Sequence, residues 1–91
     1  MGLNKMKNFV RIEGNILRKI EPFLVNMLKA KRVDVVSDNI STAYYTYEVE
    51  KDQEKSEVIL QLEEDIFGDV TTTITASGEV LKQINDFIEG H

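Results

Sequence analysis

Cysteine is absent from the chain. Disulfides, thiolate zinc sites and thiol nucleophiles are excluded together, and the composition fits a reducing compartment. Histidine occurs once, as the final residue His91 after Gly90, a chain-end position with no catalytic setting. Without an internal histidine, the Ser–His and Cys–His pairs of nucleophilic catalysis cannot be assembled. The five glycines stand singly at 2, 14, 68, 78 and 90, so no glycine-rich phosphate loop is written in the chain. No segment approaches the roughly 20 apolar residues of a membrane span, and the start carries no charged-then-apolar leader. MGLNKM departs from an acylation signal at Met6, where Ser or Thr is required. The expectation is a cytoplasmic, non-membrane, non-enzymatic protein with no catalytic residues, no cofactor and no metal.

What is present is ordinary globular material: 42% hydrophobic and 30% charged residues in a chain of 91. A chain of that length forms one domain, here residues 1–91, and buries only about 60–65% of its extended surface. Charge is unevenly divided. Eight of the eleven Lys and Arg residues precede Val33, so residues 1–32 carry +6 and residues 33–91 carry −11, for a net −5.

Apolar residues from Leu3 to Leu28 recur at three-four spacing through Leu3, Met6, Val10, Leu17, Ile20, Leu24 and Met27, with a second stripe at Phe9, Ile12, Ile16 and Phe23. Read as one helix over 4–31, the segment is about 42 Å long, far beyond a compact domain of about 12 Å radius of gyration. It must then project into a partner or break at Gly14 or Pro22. The other reading makes KNFVRIEGN an edge strand and turn, with the helix from Asn15 to Lys31; the pattern leaves residues 7–13 open between strand and helix. Both versions place Lys29, Lys31 and Arg32 at a helix C-terminus, where cations are favoured.

Beyond Val33 the period changes to two. VDVV is a brief extended piece closed by SDN, and STAYYTYEVE alternates, with Ala43, Tyr45, Tyr47 and Val49 on one face. KDQEK is a hairpin turn, SEVILQLEE buries Val58, Leu60 and Leu62, and VTTTITA turns Val70, Thr72, Ile74 and Ala76 inward. These connections are too short for crossovers, which predicts an antiparallel meander. Ser77 starts a final helix whose apolar face is Val80, Leu81, Ile84, Phe87 and Ile88, stopped by Gly90. The expected fold is α+β: a three-stranded or four-stranded antiparallel meander packed by a long N-terminal helix and a short C-terminal one, in the order α-β-β-β-α or β-α-β-β-β-α.

Element order resembles two families. α-β-β-β-α is the order of double-stranded-RNA-binding domains, and β-α-β-β-β-α, with the hairpin YEVEK-turn-SEVILQL, is similar to ribosome-hibernation factors. Their basic second helix has no counterpart in KQINDFIEG, so the likeness is one of order alone.

Three surfaces stand out. Arg18, Lys19, Lys29, Lys31 and Arg32 form a candidate basic patch, suited to phosphate contacts if they share a helix face and otherwise a solvated face. Glu63, Glu64, Asp65 and Asp69 cluster around Gly68 but lack calcium-loop spacing, with Ile66 and Phe67 expected as core plugs. Thr42, Tyr44, Thr46, Ile59, Gln61, Thr71, Thr73 and Thr75 should share the outward sheet face, a candidate interaction surface. A self-associating protein-interaction or regulatory module, a homodimer, follows as the leading expectation, with nucleic-acid or ribosome binding through the basic segment as the alternative.

Overall fold

In the computed structural model, residues 7–38 and 40–90 are described, the side chains of residues 7 and 51 excepted. Leu3, Met6 and His91, singled out above, lie outside the described residues. The order is β1 (Lys7–Glu13), α1 (Leu17–Asn26), β2 (Lys31–Ser37), β3 (Thr42–Lys51), β4 (Glu54–Glu64), β5 (Val70–Ser77) and α2 (Gly78–Glu89). The strands form one five-stranded sheet in the order β1-β5-β4-β3-β2, with every neighbouring pair antiparallel. This corrects the expected architecture. β2 to β5 form a meander, but a fifth strand, β1, closes the far edge beside β5.

The long N-terminal helix does not exist among the described residues. KNFVRIE satisfies a period of two as well as a helical one, with Val10 and Ile12 packed against the core and Phe9, Arg11 and Glu13 exposed. Seven consecutive pairings to β5, from Lys7↔Ser77 to Glu13↔Thr71, decide between the two periods. Gly14 then adopts φ +96, a left-handed conformation that ends the strand. Thr72, fully buried, anchors the turn: its hydroxyl donates to the Gly14 carbonyl at 2.6 Å and accepts the Ile16 N–H at 3.3 Å. Asn15 Oδ1 accepts the Leu17 N–H at 3.0 Å and starts α1.

β1 and β2 lie at opposite edges and run parallel, so α1 is a crossover spanning the sheet. Four strand spacings make about 19 Å, and ten helical residues supply about 15 Å of that, the loops the remainder. A helix running to residue 31 would overshoot. Instead the Leu28 N–H reaches the Phe23 carbonyl, the Ala30 N–H reaches the Leu24 carbonyl, and Lys29 turns the chain at φ 56. Lys29 therefore sits in a loop, and Lys31 and Arg32 in β2, not at a helix C-terminus; the last turn of α1 holds no basic residue. Pro22 lies inside α1.

Both helices cover the same side of the sheet. Ile20 and Leu24 of α1 and Val80, Leu81 and Ile84 of α2 bury against Tyr47, Val49, Val58, Leu60, Ile74 and Ala76. Phe23 and Phe87 stack with ring centroids 4.4 Å apart and join the helices. The β3–β4 hairpin turns on Asp52 and Gln53, both at positive φ, the geometry whose twist suits a two-residue loop. Ser77 precedes α2 in extended conformation without a side-chain cap bond, and Gly90 caps its end.

Candidate interaction surface

The register of the sheet brings the expected outward residues together. Thr42, Glu63 and Thr71 form one row, Tyr44, Gln61 and Thr73 a second, and Thr46, Ile59 and Thr75 a third. Each row continues onto β1, at Glu13, Arg11 and Phe9 respectively. The second and third rows also continue onto β2, at Val36 and Asp34. These β1 and β2 members escape sequence reasoning because the pattern leaves residues 7–13 open between strand and helix and shows β2 only as a brief extension. The alternation in KNFVRIE was the signal for the first.

No described helix lies over this face. Its middle is Thr, Tyr, Ile and Gln, while carboxylates stand toward both ends: Glu13 and Glu63 at one, Glu48 opposite Glu57 at the other. Lys55 Nζ lies 3.9 Å from Glu48 and relieves part of that like-charge pairing. Tyr44 is 40% exposed, whereas Thr73, between Arg11 and Gln61 in its row, is shielded to 8% by its neighbours within the sheet. The surface offers hydroxyl and aromatic contacts with little formal charge at its centre.

The two edges of the sheet are open in different ways. In antiparallel ladders, bonded and non-bonded pairs alternate. The Gly14 N–H donates to the Val70 carbonyl at 2.6 Å, so residues 8, 10 and 12 bond to β5. Phe9, Arg11 and Glu13 consequently aim their N–H and C=O groups outward. On β2 the Asp38 N–H donates to the Thr42 carbonyl at 3.0 Å, which by the same alternation leaves Val35 and Ser37 facing outward. β1 is regular along its length, while β2 slips register between Arg32 and Asp34.

The basic candidates are not gathered on one helix face. Arg18 and Lys19 are exposed on α1, Lys29 is in the following loop, and Lys31 and Arg32 occupy adjacent positions of β2. Lys31 is in register with Glu48, whereas Arg32, beside Tyr47, lies 3.5 Å from Glu21. The Tyr47 hydroxyl also donates to Glu21. Burial, reinforced by that carboxylate, pushes the phenol's pKa upward. This cluster fastens α1 to β2 and β3.

The acidic cluster is a backbone-capping turn. Asp65 Oδ1 accepts the Phe67 N–H at 2.8 Å and the Asp69 N–H at 3.0 Å. Ile66 and Phe67, expected as core plugs, are 93% and 82% exposed at its tip. Asp38 plays the corresponding part between β2 and β3, accepting from Ile40, Ser41 and Thr42. Those backbone N–H groups, Thr42 first, hold its carboxyl below the ordinary value. An open cleft of about 240 Å³ lies at this end of the sheet, between Asn15, Ile40 and Glu64. Among the described residues no three or more His, Asp or Glu side chains converge as a metal site, and no helix is long and apolar enough to cross a membrane.

Comparison with protein families, curated proteins and solved structures finds no match. The observed order, β-α-β-β-β-β-α, also differs from both orders noted in the sequence.

Proposed function

We propose that this chain is a non-enzymatic protein-interaction module that self-associates as a homodimer and offers its open sheet face to a protein partner. One observation supports the reading above all. Both helices pack on one side, leaving the Thr, Tyr and Ile face and both edge strands without a covering element among the described residues. Unpaired strand edges are templates for another chain, and a face with few central charges loses little solvation on being covered.

The molar mass in solution, measured by light scattering across a concentration series, tests the reading. A mass rising to twice 10.4 kDa is expected. A mass fixed at 10.4 kDa at every concentration contradicts self-association.

A further inference from the structure

We infer that β1 is the self-association site: it pairs antiparallel with β1 of a second copy, in a register centred on Val10, to join the two sheets edge to edge. The inference rests on the self-associating reading above and adds the element and the register.

The outward backbone groups of Phe9, Arg11 and Glu13 are the donors and acceptors such a pairing needs. A two-fold axis perpendicular to the sheet keeps both helix layers on the same side and makes the contact isologous, hence closed at two copies. Centred on Val10, the register sets Phe9 opposite Arg11 of the second copy, and Arg11 opposite its Phe9. Each of those pairs exchanges both N–H···O=C bonds. Both side chains belong to the outer face, where Phe9 is 65% exposed, so a guanidinium meets an aromatic ring twice. By sequence the same register sets Lys7 against Glu13 of the second copy. On the helix side Val10 meets Val10 and Asn8 meets Ile12, completing the cover of two core-edge residues that each chain leaves partly exposed.

Neighbouring registers do worse. Centring on Arg11 places Arg11 opposite Arg11, and centring on Phe9 places Lys7 opposite Arg11; like charges directly opposed destabilise a strand pair. Centring on Ile12 or Asn8 shortens the overlap of a seven-residue strand. Only the Val10 register keeps full length and opposes no like charges.

β2 is the less suitable edge. Its register shift between Arg32 and Asp34 interrupts the row of outward groups, and bulges of this kind are a recognised guard against edge pairing. The two edges therefore allow a matched test. The Arg11 and Val35 N–H groups both point away from the sheet, so proline at either position removes an outward donor while sparing the bonds to β5 or β3.

Arg11→Pro and Val35→Pro are to be compared with the unaltered chain by light scattering, with far-ultraviolet circular dichroism as the check on folding. The expected result is a mass of twice 10.4 kDa for the unaltered chain and Val35→Pro, and 10.4 kDa for a folded Arg11→Pro. An unaltered chain of 10.4 kDa overturns both this inference and the reading beneath it. A dimer that survives Arg11→Pro, or that only Val35→Pro dissociates, overturns the β1 site and leaves self-association standing. Should Arg11→Pro lose its dichroism, Arg11→Glu decides. Loss of two ring–guanidinium contacts raises the dissociation constant roughly tenfold. An unchanged constant overturns the inference.

Discussion

β1 and β2 are both seven-residue edge strands, yet β1 runs in unbroken register with β5 while β2 slips between Arg32 and Asp34. β1 also belongs to the covered part of the sheet, with Val10 and Ile12 packed against the core, whereas every residue of β2 is exposed. The difference teaches that an open edge is not one kind of surface. A regular edge flanked by a core presents an ordered row of backbone groups at low entropic cost, and a bulged, solvated one does not.

α1 connects these edges, so loosening it should affect both and abolish the contrast. Leu24, fully buried on α1, is the point to cut. Leu24→Ala should lower stability by about 3 kcal/mol, from lost transfer energy and the cavity left behind, read from urea midpoints. A loss below about 1 kcal/mol would mean that α1 is not held against the sheet as described.

A smaller and one-sided effect is expected at Thr72, whose hydroxyl holds the turn between β1 and the start of α1. Thr72→Val keeps shape but leaves the Gly14 carbonyl and the Ile16 N–H without their partner, at about 2 kcal/mol. Amide exchange in β1 should quicken more than in β2. Equal acceleration at both edges would show that the turn at Gly14 does not act locally.

The smallest effect belongs to the β2 side. Asp38 is held below its ordinary value of 3.8 by backbone N–H bonds from Thr42, Ile40 and Ser41. A depressed folded-state value means that the unfolded chain binds the proton first. The stabilisation is thus present above pH 3.8 and is lost as pH falls through the lower folded-state value. The stability gap between the unaltered chain and Asp38→Ala should shrink on acidification below that point. A gap independent of pH would remove the carboxylate from the account of the β2–β3 turn.

Much of this fold was legible in the sequence. β3, β4, β5 and α2 each show one clear period, and the parity of VTTTITA separates Thr72, which faces the helices, from Thr71 and Thr73, which do not. β1 was ambiguous for a physical reason: Val10 and Ile12 satisfy strand alternation, while Val10 with Leu3 and Met6 also satisfies helical spacing. Only pairing with β5, a contact more than 50 residues away, selects the strand. β2 was underestimated because an edge strand with every residue exposed has no apolar face to announce it. The open face followed from its alternation, but its extension through Phe9 and Arg11 required the strand that local pattern could not fix.

Amide hydrogen exchange of the unaltered chain, resolved by residue with nuclear magnetic resonance, compares the edges most directly. If β1 pairs with β1 of a second copy, the outward amides of Phe9, Arg11 and Glu13 should be protected at high concentration, while that of Val35 exchanges as an open edge amide. Equally fast exchange at both edges would contradict β1 as the pairing edge.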